Sequence, residues 1–231
     1  IAKLRVVYDQ LFDRKAGREE GNQFDLAGTD EEGKAATLPQ ILNPRKYAPE
    51  LAGTLYEVNA RAIAEQLLGA GAGFSGDHAI FKPAGVGAPT PWHQDEAYWD
   101  AGTNYHSLSV WMPLQEATLE NGCMTFIPGR SDQEVQPHQS IGGDTRIHGL
   151  EMLNPADKAK AVACPLPPAE RLFMIRVRPI SPGLTNRQSR AAPIFSSSER
   201  KPRAAPMTGR FPGTTPAQRP ATPARRKRRG L

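Results

Sequence analysis

The stretch Pro91-Trp92-His93-Gln94-Asp95-Glu96-Ala97-Tyr98-Trp99 decides how this chain is read. In extended backbone, residues i and i+2 point to the same side. An imidazole nitrogen of His93 and a carboxylate oxygen of Asp95 can then meet one metal ion from one direction. Such a pair is two thirds of the two-histidine, one-carboxylate set that holds non-haem Fe(II) and leaves coordination positions open. His-x-Asp also occurs by chance; the structural alternative is a hydrogen-bonded His93 and an Asp95 at a turn or cap. Glu96 faces the opposite side from Asp95 and is the poorer ligand.

Outward from this stretch the chain reads as short strands and turns. Residues 77–81 predict a strand stopped by Pro83, followed by a Gly/Pro-rich loop to Pro91. Residues 107–112 alternate strictly, with Leu108, Val110 and Met112 on one face and Ser107, Ser109 and Trp111 on the other. Asn121-Gly122 signals a hairpin turn, with strands expected at 123–127, 161–164 and 172–177. Before these come two helices. Ile1, Leu4, Tyr8, Leu11 and Phe12 recur at three- and four-residue steps. Residues 17–33 read as a connecting loop, and Asn43-Pro44 as a turn. Pro49 and Glu50 open the second helix. Leu51, Leu55, Val58, Ala62 and Ile63 are its expected buried face, and Gly69-Ala70-Gly71 its end. Helices first and several short strands after them predict an α+β chain, mainly β, built as a sandwich or barrel.

Composition narrows the classes. The 231 residues include two cysteines, Cys123 and Cys164, too few for a disulfide scaffold and consistent with a reducing, cytoplasmic setting. No apolar run is long enough to span a membrane. The chain opens on Ile1 rather than Met, as a piece lacking its natural start would. The net charge of +5 hides two unlike polypeptides. Residues 1–164 hold 14 Lys+Arg against 22 Asp+Glu, a balance of −8; residues 165–231 hold 15 against 2, a balance of +13. The second part also carries 12 of the 22 prolines. High charge with low hydrophobicity predicts a disordered basic tail from about residue 180. Its Arg225-Arg226-Lys227-Arg228-Arg229 run lacks the interleaved aromatics of a base-stacking surface. Nucleic acid is therefore expected as a partner only through the charge of this tail.

Several segments together resemble the phytanoyl-CoA dioxygenase family of Fe(II)/2-oxoglutarate oxygenases, in its bacterial branch. They are Lys82-Pro83, residues 91–99 as quoted, Trp111-Met112-Pro113-Leu114, Glu120-Asn121-Gly122-Cys123 and Ile127-Pro128-Gly129-Arg130-Ser131. Gln23-Phe24-Asp25-Leu26 and Leu38-Pro39-Gln40-Ile41 add to them. The resemblance covers about residues 1–167, leaving 168–231 as a Pro/Arg-rich tail. It implies a double-stranded β-helix (jelly roll) with N-terminal helices. It implies Fe(II) on His93 and Asp95, with 2-oxoglutarate as cosubstrate near Trp111 and Lys82. It further implies O₂ and a small organic substrate, which is hydroxylated as 2-oxoglutarate is decarboxylated to succinate. Tyr98 and Trp99 are weaker candidates for the substrate pocket, and packing is their alternative. Trp92 reads as structural, His78 as a satisfied strand histidine, and Cys123 as a packing residue.

The family pattern also needs a distal His as third iron ligand and an Arg about ten residues beyond it. No His follows His148. Three readings compete: a reading-frame change near codon 168, His138 or His148 as the third ligand, or a fold kept for binding after iron chemistry was lost. The first leaves the barrel incomplete. The last makes the chain a non-catalytic interaction protein whose basic tail binds nucleic acid or another acidic partner.

Overall fold

The computed structural model describes residues 1–31, 33–101, 104–128, 134–155 and 158–175, and the backbone of 189–201. Helix α1 (Ala2–Asp13) follows the expected apolar stripe and buries Tyr8 and Leu11. Strands β1 (Gln23–Asp25) and β2 (Pro39–Leu42) pair antiparallel. A strand thus lies where a connecting loop was expected. Polar Gln23 and Asp25 are its buried residues, so alternation of apolar residues could not reveal it. The Asp25 carboxylate accepts the backbone N–H groups of Ala27, Thr37 and Leu38, folding the loop between the two strands around itself.

Helix α2 (Leu55–Leu68) begins later than expected, because Pro49–Leu51 forms a separate single turn. Thr54 caps α2 by accepting the Glu57 N–H, and Glu57 reaches back to the N–H of Gly53. This start fixes which face is buried. The face is Tyr56, Glu57, Ala60 and Ala64, whereas Leu55 and Val58 are 79% and 52% exposed, contrary to the sequence expectation. Small Ala60 and Ala64 let the helix approach the sheet closely, and Tyr56 anchors it by donating to Val110 O at 2.7 Å.

Strands β3 (Phe74–Lys82) and β4 (Asn104–Pro113) are longer than expected, and β9 (Leu172–Ile175) pairs with β4. With β10 (Ser189–Lys201) they complete an antiparallel sheet in the order β1-β2-β3-β10-β4-β9. The tail was expected to lack regular structure. Within it Ser189–Lys201 forms a strand, and 176–188 and 202–231 lie outside the described residues. Pro193, which cannot donate to a ladder, falls where the register of β10 shifts against both neighbours.

Each face of β4 meets a different core. Leu108, Val110 and Met112 pack with Tyr8, Leu11, Tyr56 and the alanines of α2. Trp111, on the other face, packs with Ala117, Cys123, Met124 and Met174. On that side lie two small antiparallel pairs. One is β5 (Met124–Phe126) with β8 (Val162–Cys164); the other is β6 (His138–Ser140) with β7 (Leu150–Met152). Asn121-Gly122 does not turn β4 into β5 as a hairpin. Asn121 instead closes a local loop: it donates to Glu116 O and accepts from Thr118 N–H, while β5 pairs with β8. Among the described residues the sheets do not close into a barrel. No described helix is long and apolar enough to cross a membrane.

Candidate functional site

Period-two alternation builds the site. Ile41 of β2 and Ala79 of β3 point into the helix-side core, so their neighbours point away from it. Those neighbours, Gln40, Leu42, Gly76, His78 and Ile80, line a cavity of about 440 Å³. Phe24, Leu26, Trp99 and Met124 add apolar lining, and His93, Asp95, Tyr98 and His148 bring polar groups to it.

His93 and Asp95 do not lie on one regular strand. His93 is in extended chain and Asp95 opens a short helical turn, Asp95–Tyr98. Gln94 between them is extended (φ −117°, ψ 129°), so the same-side geometry survives locally. His93 Nε2 lies 3.5 Å from Asp95 Oδ1, with the two side chains 12% and 17% exposed. His93 Nδ1 is 2.8 Å from Pro91 O. A carbonyl can only accept, so the proton belongs on Nδ1 and Nε2 turns a lone pair toward the carboxylate side. Tyr98 sits at the rim. Its ring is edge-on to His93 with centroids 6.2 Å apart, and its hydroxyl oxygen accepts the Leu150 N–H at 2.7 Å.

Three other histidines separate cleanly. His78 lines the cavity, and among the described residues its buried Nε2 has no hydrogen-bond partner, unlike the satisfied strand histidine expected. Burial holds its imidazole below the usual range, partly offset by Asp95, while His93 depresses it further. His148 lines the same cavity and packs against Phe24, the rings tilted at 47° with centroids 4.6 Å apart. Both ring nitrogens of His138 are engaged: Nε2 accepts the Gln94 N–H at 3.0 Å and Nδ1 is 2.6 Å from Gln136 O. Among the described residues no three His, Cys, Asp or Glu side chains gather closely enough to hold a metal. An imidazole nitrogen and a carboxylate oxygen thus lie side by side, and among the described residues no third His, Cys, Asp or Glu joins them.

Lys82 and Trp111 are not among the cavity-lining residues. Trp111 is buried in the β4 core, which reaches the cavity through Met124 and Trp99. Lys82 is 3% exposed, and its Nζ lacks a hydrogen-bond partner among the described residues. Burial depresses its pKa to about 8; Cys123 pulls weakly the other way. Asp77 also lines the cavity. Arg45 holds it at 3.3 Å, yet burial still pushes its carboxyl above the usual range. Gln40, Asn43 and Phe24 are lining residues that motif reading passed over. The resemblance of the segments around Phe24 and Gln40 was the signal that could have found them.

This fold is that of the non-haem iron, 2-oxoglutarate-dependent oxygenases. The crystal structure of EvdO2 from Micromonospora carbonacea var. aurantiaca complexed with 2-oxoglutarate is similar with a TM-score of 0.72 and 37% identity, covering 89% of this chain and 84% of that one. SnoK, a carbocyclase from nogalamycin biosynthesis, shares the fold at 18% identity and a TM-score of 0.61. The sequence pattern of phytanoyl-CoA dioxygenase (PhyH) matches residues 1–168, and the chain belongs to that family. A probable alpha-ketoglutarate-dependent hypophosphite dioxygenase of Stutzerimonas stutzeri is 26% identical over 117 residues, which is 51% of this chain and 40% of that protein. A phytanoyl-CoA dioxygenase domain-containing protein 1 homolog of Caenorhabditis briggsae is 35% identical over 71 residues, 28% of this chain and 25% of that protein. The matched stretches thus span a quarter to two fifths of these curated relatives.

Proposed function

We propose that the chain is built as an Fe(II)/2-oxoglutarate-dependent dioxygenase of the phytanoyl-CoA dioxygenase type, which hydroxylates a small organic substrate. One observation carries this reading. His93 Nε2 and Asp95 Oδ1, an imidazole lone pair and a carboxylate oxygen, face each other at 3.5 Å on a cavity wall. Two electron-pair donors so placed call for a cation, and that separation lets both reach one ion at bonds of about 2.1 Å. His93 and Asp95 would hold the iron, which with 2-oxoglutarate and O₂ would supply the oxidising power for C–H hydroxylation, coupled to decarboxylation of 2-oxoglutarate to succinate and CO₂.

The protein's part is geometry and exclusion of water. Pro91 O fixes the His93 tautomer, so that Nε2 is the liganding nitrogen. Lys82 carries a buried ammonium just off the cavity lining, and a cosubstrate carboxylate that reached it would relieve the burial of an unpaired charge. Trp111 backs the wall that Met124 and Trp99 present. Tyr98 and Trp99 take the substrate side, where Phe24, Leu42 and Ile80 keep the pocket dry.

The full chain should bind Co(II), a spectroscopic stand-in for Fe(II), through His93, and His93→Ala should abolish binding. With two protein ligands the affinity is expected to be weak and succinate formation low. Co(II) uptake unchanged in His93→Ala would overturn the reading. A second reading rests on the +13 charge of residues 165–231: the folded part is a scaffold, and the tail binds nucleic acid or another acidic partner. It expects salt-sensitive nucleic-acid binding that survives His93→Ala and is lost on removing 202–231, which leaves β10 in place. Binding that persists without the tail would count against it.

A further inference from the structure

Segment 134–152 passes over the His93–Asp95 loop and grips it at successive points. Met152 N–H donates to Trp92 O at 2.7 Å. His138 Nε2 takes the Gln94 N–H at 3.0 Å. The buried side chain of Gln94, the residue between the two donors in sequence, accepts the Gln136 N–H at 2.7 Å and donates to Glu134 O at 3.4 Å. The β6–β7 pairing sets His138 opposite Met152, so one rung of this pair holds the loop on both sides of His93.

His138 is the side chain on which this grip turns. Its Nδ1–H is committed to Gln136 O, which leaves Nε2 as an acceptor only. The backbone N–H that it receives belongs to the residue between His93 and Asp95. Fixing that peptide fixes the extended torsions of Gln94, and those torsions bring the two donors to the same side.

We propose that His138 is a positioning residue. It does not ligate the metal; through the Gln94 peptide it locks the separation of His93 and Asp95, and so sets the affinity of this site for a divalent cation. The inference rests on the metal reading above. Its geometry assigns His138 a task that sequence spacing alone had left open between ligand and loop histidine.

The test uses the full chain, with Co(II) as the probe and amide hydrogen exchange read at Gln94. In the unaltered chain the Gln94 amide is expected to be protected. His138→Leu, which removes the acceptor, should speed exchange at Gln94 and weaken Co(II) binding about 10- to 100-fold. His138→Gln, whose side-chain oxygen can reach the place of Nε2, should restore both to within about threefold, a rescue that mere packing does not give. Should His138→Leu fail to fold, His138→Asn serves: its amide reaches only the place of Nδ1, and it should lose protection and affinity alike. Equal Co(II) affinity in all four chains overturns the proposal. So does a Gln94 amide that exchanges equally fast in the unaltered chain and the Leu or Asn variant. An unaltered chain that takes up no Co(II) overturns the metal reading instead, and is told apart because Gln94 protection is then still lost in the variant.

Discussion

Lys82 presents a buried ammonium with Cys123 as the titratable group it feels. Its pKa is about 8 in the fold, against roughly 10.4 in an unfolded chain. Below pH 8 both states carry the proton, and the fold bears the burial of the charge, on the order of 3 kcal/mol. Between pH 8 and about 10.4 the unfolded chain holds more protons than the folded one, so this contribution makes stability rise with pH. Lys82→Met should therefore stabilise the chain at pH 7 by up to about 3 kcal/mol and cancel that rise. Urea melts of both chains at pH 7 and pH 10 check it; equal stability at pH 7 would show that Lys82 is not the unpaired charge described. If a cosubstrate carboxylate pairs with Nζ, 2-oxoglutarate should raise the Tm of the parent chain more than that of Lys82→Met. The His93–Asp95 pair was legible because it needs only one extended residue between its members, and Gln94 supplies it. The orphaned Nζ of Lys82 was not, because whether a strand-end lysine faces water or a core depends on what packs across the sheet.

Among the elements, α2 shows where pattern reading fails. Leu55 and Val58 are apolar, but the turn opened by Thr54 directs both outward and turns Tyr56, Ala60 and Ala64 to the sheet. Alanines carry little hydrophobic signal, so the buried face of a closely packed helix looks weaker in sequence than the exposed one. The correction has a direct consequence. Thr54→Ala should cost about 1 kcal/mol through the lost cap, whereas Leu55→Ala, at a site 79% exposed, should stay within about 0.5 kcal/mol. Denaturant melts of the two variants rank them, and a larger loss in Leu55→Ala would restore the face expected from the sequence. Strands β1 and β2 were hidden for a related reason. Their buried positions include Gln23, Asp25 and Gln40, polar residues that a period of apolar side chains passes over.

For the whole molecule, the decisive contact is the insertion of β10 between β3 and β4. The strand comes from the basic, proline-rich part of the chain, yet it supplies the backbone partner on one side of two central strands. It was not legible because charge and proline content describe the tail as an average. The run Ile194-Phe195-Ser196-Ser197-Ser198 within it is uncharged, and Pro193 falls at the register shift. Without β10, the facing edges of β3 and β4 would be left open in the middle of the sheet, where unpaired backbone groups are costly and recruit other chains. A chain ending at Lys201 keeps every described strand pair, although it sheds the Arg225–Arg229 run. A chain ending at Ile175 loses the ladders of β10 with both neighbours. The first should melt cooperatively, within a few degrees of the full chain. The second should lose its cooperative transition and appear as aggregates in light scattering. If the chain ending at Ile175 instead melts like the full chain, β10 adds nothing to the sheet, and residues 1–175 fold without it.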